Sequence, residues 1–280
     1  MISSEQVKAL IRNKSKTLNI NSNIILRTVI FEFFLEKLSK STYKDKFIIK
    51  GGFLVSAITK IDLRTTMDLD VTLKSLSIQK NDLKTYLEEI ITIATHDKLV
   101  MELFSIDEIH EDADYPGLRA TIIVYFDGFK ETIKIDFTTG DVLTPSEANF
   151  KYKTVLYDSD IELKSYNIET VLAEKTETIL SRGPLNTRMR DFYDVYILWK
   201  LRKNEIDKTV LKTAIIKTSK YRGTYDQIFN DCFVIISSIE QDSKMIKLWE
   251  TYQTSYPFAK DVSWEDSINS IRSIMKEIVS

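Results

Sequence analysis

The stretch of this sequence that most constrains its fold is residues 47–70, FIIKGGFLVSAITKIDLRTTMDLD. It predicts a strand over Phe47–Lys50, a turn at Gly51–Gly52, a short apolar helix over Phe53–Ile58 and then a second strand. Successive side chains of a strand point to opposite faces of its sheet. We therefore expect the polar residues of the second strand to share one face and its apolar residues to share the other.

Asp68 and Asp70 are the polar residues of that second strand, and Leu69 and Val71 alternate with them. Two carboxylates placed side by side raise the pKa of one of the pair, and a divalent cation removes that penalty. The pair therefore predicts a metal site. Because an Asp-x-Asp pair is common, a solvated strand face is the alternative interpretation.

Gly51–Gly52 stands just before the predicted helix. Backbone N–H groups and the positive end of the helix dipole favour phosphate at such a position. Phosphate beside the glycines and a metal ion beside the aspartates together describe a nucleoside triphosphate site. The alternative is that the two glycines form an ordinary turn.

A third carboxylate is expected from a hairpin further along the chain. Leu118–Phe126 and Phe129–Phe137 are β-rich runs joined by Asp127–Gly128, a two-residue hairpin signal. In the returning strand apolar residues alternate with polar ones, and Asp136 belongs to the polar set. The hairpin therefore presents Asp136 from a strand whose other face is apolar.

Composition narrows the chemistry to carboxylates. The single cysteine, Cys232, excludes an internal disulfide framework and a thiolate metal cluster, and His96 and His110 are too few for a histidine-rich zinc site. No apolar run reaches the length of a membrane span, and the N-terminus lacks the apolar core of a signal peptide. We expect a cytoplasmic protein without a membrane partner.

Charge is unevenly distributed along the chain. Residues 51–150 carry 18 acidic against 9 basic side chains, whereas residues 1–50 carry 4 against 10 and residues 151–220 carry 10 against 14. The segment with the candidate metal ligands is thus acidic and lies between basic ones. This asymmetry permits a polyanion to lie across basic surface toward an acidic centre, although most surface charge is simply solvated.

From about residue 145 the pattern becomes mostly helical, which predicts one domain over 1–150 and a helical domain over 151–280. Asn167 is the expected cap of a helix that ends at Arg182. Lys175 lies on the apolar stripe of this helix, so it either extends its stem along the core or directs a cation at phosphate.

The following helix places Arg188, Asp191 and Asp194 on one face. The structural interpretation of these charges is an ion-pair network, either of Arg188 with Asp191 or of Lys175 and Arg182 with the two aspartates. Charged groups that are buried where the helical part meets the sheet part need partners, because burial of an isolated charge is costly.

Five motifs in this order resemble those of the AbiEii/AbiGii toxin family. They are KGG at 50–52, RTTMDLD at 64–70, IKIDF at 133–137, KTETILSR at 175–182 and RMRDFYDVYIL at 188–198. Members of this family are nucleotidyltransferase-like toxins of type IV toxin–antitoxin and phage abortive-infection systems. The resemblance implies an α+β fold, with a DNA polymerase β-like nucleotidyltransferase domain on a mixed sheet and a helical C-terminal domain.

The resemblance also implies roles for individual residues. Asp68 and Asp70 would be metal ligands and catalytic residues, and Asp136 would be a third metal ligand or the general base. Lys175 and Asp191 would complete the catalytic set. The implied nucleotide-binding residues are Lys50, Gly51, Gly52, Arg64, Arg182 and Asp194.

The implied activity is that of a Mg²⁺-dependent nucleotidyltransferase toxin, which transfers a nucleoside monophosphate from a nucleoside triphosphate to RNA, with the acceptor end of tRNA as the expected site. Transfer to a small molecule or a protein is the alternative reaction. Binding of nucleotide or RNA without turnover is the alternative of a different class. The resemblance further implies a cognate antitoxin that represses transcription and does not need to contact the toxin.

Overall fold

The structure is a computed structural model that describes residues 4–18, 20–59, 68–95, 99–109, 117–126, 129–155, 157 and 159–279. The chain forms two compact units. The sheet unit is Met1–Asp141 with Glu147–Ser165, and the helical unit is Val142–Ser146 with Tyr166–Ser280.

The sheet unit contains all the strands that the described residues form. Its elements are α1 (Ser4–Leu18), α2 (Ser22–Ser39), β1 (Phe47–Lys50), α3 (Gly51–Thr59), β2 (Asp68–Leu73), α4 (Lys80–Ile91), β3 (Val100–Ile109), β4 (Gly117–Phe126), β5 (Phe129–Thr139), β6 (Ala148–Lys153) and β7 (Asp160–Ser165).

Within the described residues these strands form one seven-stranded sheet in the order β3-β4-β5-β2-β1-β7-β6. Strand β1 pairs antiparallel with β2 and parallel with β7, and β2 pairs parallel with β5, so the sheet is mixed. The predicted α+β class with a mixed sheet is confirmed. Strand β2, which carries the two aspartates, lies in the middle of this order.

One face of the central strands is apolar. Leu69 and Val71 of β2 and Ile135 and Phe137 of β5 are all fully buried. They occupy the alternate positions between the polar residues, as the period of a strand requires. Helix α2 contacts β5 and β7, so its long apolar run is used to cover this face.

A buried carboxylate fastens α2 to the end of the sheet. Glu32 is only 4% exposed, and its Oε1 accepts hydrogen bonds from the Tyr152 hydroxyl at 2.8 Å and the Val155 N–H at 2.6 Å. Burial and then the nearby Glu32 charge raise the pKa of Tyr152 well above its ordinary value. Tyr152 is therefore a permanent donor to Glu32.

The helical unit is built from six helices in the part of the chain that the structure describes. They are α5 (Ile168–Arg182), α6 (Met189–Arg202), α7 (Lys208–Tyr221), α8 (Tyr225–Gln241), α9 (Ser243–Ser255) and α10 (Trp264–Val279). The predicted cap is confirmed, because the Asn167 side chain accepts from the N–H of Thr170. Aromatic rings of α6, α9 and α10 pack together, with Trp249 and Trp264 at 5.6 Å between ring centroids.

The expectation that helices begin at about residue 145 is wrong for β6 and β7. Both are short strands with alternating burial, and β7 is held by parallel pairing with the distant β1. Such long-range pairing leaves little trace in local sequence periodicity. The predicted domain division at residue 150 falls inside β6. Among the helices of the described segments, none combines the length and apolarity that a membrane crossing requires.

Replacement of Glu32 tests how far this buried carboxylate stabilises the sheet unit. We expect Glu32→Ala to lower the free energy of unfolding by about 2–4 kcal/mol, because two buried donors lose their acceptor. Tyr152→Phe should cost about 1 kcal/mol. Urea unfolding measures both. Glu36→Ala is the matched control on the same helix, since its i,i+4 pair with Lys40 is partly exposed and should be worth less than about 1 kcal/mol.

Candidate functional site

Strand pairing places five charged residues in one row across the sheet, of which Asp107 of β3, opposite Arg119, lies on the edge strand and the following four lie further in. Arg119 of β4 lies opposite Asp136 of β5, Asp136 lies opposite Asp70 of β2, and Asp70 lies opposite Lys50 of β1. Residues that lie opposite each other on neighbouring strands project from the same face. We call these four residues the charged row. Asp68 projects from the same face of β2 because it is two residues before Asp70.

The start of α3 lies directly against this row. Gly51 has φ +67°, and a Cβ built on it would lie 1.8 Å from Oδ2 of Asp70. The Asp70 carboxylate therefore occupies the space that a side chain at residue 51 would need. The positive end of the α3 dipole favours a negative charge there. The structure thus brings the predicted glycine pair and Asp70 together, with the helix beginning at Gly51 itself and not at Phe53.

Arg119 is a component of the site that the motifs did not indicate. Its Nε donates to Oδ1 of Asp136 and its Nη2 to Oδ2, both at 2.7 Å. The same Nη2 is 3.6 Å from Oδ2 of Asp68. The predicted hairpin contains the signal for this contact. Phe126 lies opposite Phe129, and seven residues further from the turn on each strand Arg119 lies opposite Asp136.

The predicted metal ligands are the carboxylates of Asp68, Asp70 and Asp136. In the part of the chain that the structure describes, no group of three or more His, Cys, Asp or Glu side chains is placed to hold a metal ion. Both oxygens of Asp136 accept from Arg119. Asp68 and Asp70 share one face of β2, and Mg²⁺ is commonly held by one or two carboxylates together with substrate phosphates. The carboxylates of these two residues suit Mg²⁺ in their chemistry, and Asp136 stays a predicted third ligand or general base whose carboxylate accepts from Arg119 in this structure.

The ammonium of Lys50 is held at the other end of the row. Its Nζ is 2.7 Å from Oδ2 of Asp141 and 2.7 Å from the Thr138 hydroxyl. The hydroxyls of Thr72 and Thr138 also donate to Oδ2 of Asp141. We call these four residues the lysine cluster. The structure therefore directs Lys50, which the family resemblance assigns to nucleotide binding, at Asp141.

Asp141 stays ionised inside this cluster. Burial opposes the charged form, but the Lys50 charge and the hydrogen bonds from Lys50, Thr138 and Thr72 outweigh it and lower the pKa of Asp141 to about 2. Its side chain is only 7% exposed. The cluster is thus a buried ion pair whose acceptor is saturated by donors, the arrangement in which a buried pair is stabilising.

Lys175 forms a comparable pair within the helical unit. Its Nζ is 2.6 Å from Oδ1 of Asp191 and 2.9 Å from Oδ2 of Asp194. Burial lowers the pKa of Lys175, but the charges and hydrogen bonds of the two aspartates raise it above its ordinary value. Lys175 is therefore a permanent cation. The ion pairs expected between α5 and α6 are present for Lys175.

The remaining predicted residues are placed as follows. Arg182 is the last residue of α5, and Gly183 follows with φ +52°. Gly52 is buried as the second residue of α3. Arg64 lies outside the residues that the structure describes.

Gly51→Ala tests the contact between the helix start and Asp70. Gly223→Ala is the matched control, because Gly223 has φ +69° with nothing within 4 Å of an added Cβ. Both variants carry the cost of a left-handed backbone, about 1–3 kcal/mol. We expect Gly51→Ala to lose about 2 kcal/mol more, measured by urea unfolding, because Asp70 must move as well. Equal losses in the two variants would contradict the close approach.

The lysine cluster predicts a pH dependence of stability. Since the pKa of Asp141 is lowered to about 2, its contribution is complete above the ordinary pKa of aspartate and is lost as the pH falls toward 2. The gap in unfolding free energy between the wild type and Asp141→Asn should narrow by about 1 kcal/mol from pH 7 to pH 3. The gap in unfolding free energy between the wild type and Lys50→Met should narrow in the same way. A gap that does not change with pH would refute the ion pair between Lys50 and Asp141.

Comparison with known proteins gives the following matches. Residues 34–270 match the model of a family described as "Nucleotidyl transferase AbiEii toxin, Type IV TA system". None of the curated proteins matches the chain. A crystal structure of a candidate nucleotidyltransferase from H. pylori aligns at 15% identity with a TM-score of 0.47, covering 99% of this chain and 96% of that one. The crystal structure of JHP933 from Helicobacter pylori aligns at 15% identity with a TM-score of 0.45, covering 100% and 94%. Likeness at this level carries no argument about function.

Proposed function

This chain belongs to the AbiEii family of nucleotidyltransferase toxins of type IV toxin–antitoxin systems, and from that membership we propose that it transfers a nucleoside monophosphate from a nucleoside triphosphate to RNA. The observation that carries the proposal is the pair Asp68 and Asp70 on one face of β2, with Asp70 in contact with Gly51 at the start of α3. This arrangement offers ligands for a metal ion and a place for phosphate next to each other.

In this proposal Asp68 and Asp70 would hold Mg²⁺, and Asp136 would be a third ligand or the general base. The ion, when bound, neutralises charge on the reacting phosphate and lowers the pKa of the attacking hydroxyl. Gly51 and Gly52 would contribute to triphosphate binding through their backbone. Without side chains they allow the backbone at the N-terminus of α3 to approach the phosphates closely, and the helix dipole favours the negative charge.

Lys175 and Arg182 are assigned to the triphosphate as cations, a role that the family resemblance implies. The support on Lys175 is chemical: its side chain keeps its proton at any physiological pH, and Asp191 and Asp194 fix the position of its Nζ. A fixed cation of this kind stabilises charge that develops on a leaving pyrophosphate. Asp191 and Asp194 are then positioning residues.

RNA is the proposed acceptor, with the acceptor end of tRNA as the site of transfer. The basic segments 1–50 and 151–220 support a polyanionic partner, since they carry 10 against 4 and 14 against 10 basic and acidic side chains. Modification of tRNA would stop translation and so arrest the growth of the cell. During phage infection the same arrest would prevent the phage from multiplying. Since nucleoside triphosphates and tRNA are both found in the cytoplasm, we place the reaction there.

The family implies an antitoxin partner. We propose that it acts by repressing transcription, without an obligatory contact with this chain. The protein should therefore purify in a stable form when expressed alone in a host that tolerates it. A protein inhibitor that copurifies in stoichiometric amount would contradict this part of the proposal.

Transfer is tested by incubating the protein with Mg²⁺, total RNA and each of the four labelled nucleoside triphosphates. We expect label in tRNA from at least one nucleotide. Label in protein or in a small molecule would replace the proposed acceptor by the alternative one. Binding of nucleotide or RNA without transfer would indicate a protein that has lost turnover.

Asp68→Asn and Lys175→Gln should each lower transfer by about 10³-fold and abolish growth arrest, because each removes a charge that the transition state needs. Asp160→Asn, an exposed partner of Lys151 in β7, and Lys208→Gln, an exposed partner of Glu277, are the matched controls with full activity. Circular dichroism establishes that the variants are folded. A folded Asp68→Asn protein that still arrests growth would refute the assignment of the site.

A further inference from the structure

The exposed face of β5 carries a row of polar side chains that leads to the charged row. Lys130, Thr132 and Lys134 are all exposed and lie two residues apart, so they project from the same face as Asp136. Between them, Ile133 points to the other face and is 2% exposed. We call Lys130, Thr132 and Lys134 the β5 track.

Lys134 is the member of the track nearest to the candidate metal ligands. The parallel pairing of β2 with β5 sets it beside Asp68, and paired residues of neighbouring strands project from one face about 5 Å apart. Among the residues that the structure describes, the Lys134 ammonium has no partner in an ion pair. An exposed ammonium at this place is available to a phosphate that arrives at Asp68.

Tyr125 adds an exposed aromatic ring at the far end of the track. It lies opposite Lys130 in the pairing of β4 with β5, it is 37% exposed, and the Lys130 Nζ is 5.8 Å from the centroid of its ring. A hydrogen bond to Glu102 of β3 holds the ring in place. Proteins bind single-stranded nucleic acid with this combination, in which bases stack on aromatic rings and cations contact the phosphates.

The acidic side chains at this end of the face lie on the edge strand β3. Glu102 is the hydrogen-bond partner of Tyr125, and Oδ2 of Asp107 accepts from the Ser105 hydroxyl at 2.7 Å. These charges repel a polyanion from β3, whereas the two lysines of the track attract it to β5. The charges of the face therefore guide a nucleic acid strand along β5.

The position of the track relative to the glycine pair suits an acceptor strand. The strand order puts Gly51, which follows β1, on one side of β2 and the β5 track on the other side. In phosphoryl transfer the attacking and leaving oxygens lie roughly in line on opposite sides of the reacting phosphorus. A triphosphate held at Gly51 therefore favours an acceptor hydroxyl that approaches from the β5 side.

We propose that the β5 track and Tyr125 bind the single-stranded end of the acceptor RNA and lead its terminal hydroxyl to Asp68. Lys130 and Lys134 contact its phosphates, and Tyr125 stacks on one of its bases. The inference rests on the proposed function, because it locates the acceptor of the same reaction. Since only an unpaired base can stack on Tyr125, the surface selects single strands over duplex RNA.

Binding is tested on the intact protein by fluorescence anisotropy, without nucleotide or metal ion. The probes are an end-labelled single-stranded oligoribonucleotide and a blunt-ended hairpin of equal length. We expect the single strand to bind at least about tenfold more tightly, because the hairpin offers no unpaired base for stacking.

Three substitutions test the residues of the surface. Lys130→Gln and Lys134→Gln should each weaken binding of the single strand about three- to tenfold and make the slope of log Kd against log salt shallower by about 0.7. Tyr125→Ala should weaken binding about tenfold. Tyr125→Phe keeps the ring and should bind as tightly as the wild type.

Lys84→Gln is the matched control for the two lysines. Lys84 is an exposed residue of α4 that pairs with Glu88 at 3.8 Å, and its substitution should leave RNA binding unchanged. Urea unfolding of each variant excludes a loss of fold as the cause. In the transfer assay Lys134→Gln should raise the KM for RNA and leave the KM for the nucleoside triphosphate unchanged.

Wild-type affinity for the single strand in Lys130→Gln, Lys134→Gln and Tyr125→Ala would overturn the inference. A wild type that does not bind the single strand, or that binds the hairpin equally well, would also overturn it. So would a raised KM for the nucleoside triphosphate in Lys134→Gln, because the ammonium would then serve the nucleotide. The proposed function fails in a different way, namely when the wild type binds the single strand through the track but transfers no nucleotide to it.

Discussion

The pairing of β2 with β1 on one side and with β5 on the other is the constraint on which this site depends. It sets Asp70 between Lys50 and Asp136, and the hairpin of β4 and β5 adds Arg119 to the row. A slip of one residue in either pairing would turn the aspartates of β2 toward the apolar core. Leu69 and Val71, both fully buried, would then face water. The same burial that stabilises the sheet therefore fixes the register of the charges.

Much of this could be predicted from the sequence because it depends on local periods. The shared face of Asp68 and Asp70 follows from the two-residue period of a strand, and the cap at Asn167 from its side chain. The contribution of Asp136 followed from the alternation in β5. Each of these features is encoded within about ten residues of chain.

The features that were missed depend on which distant segments pair. Strand β7 is assigned by its parallel partner β1, and Asp141 joins the site because Lys50 of β1 reaches it. Neither partner can be read from a local pattern. Arg119 is an intermediate case, since the turn between β4 and β5 determines its position opposite Asp136. Counting residues across a predicted hairpin would have predicted that contact.

The face of β2 that carries the aspartates becomes less exposed to solvent along the strand. The side chain of Asp68 is 36% exposed, whereas Thr72, two residues beyond Asp70, is 3% exposed and belongs to the lysine cluster. Among the described residues of this face, hydrated ions and phosphates therefore meet Asp68 more readily than Thr72. A ligand bound at the aspartates exchanges with solvent on the Asp68 side, and the lysine cluster is the dry, polar boundary on the other side.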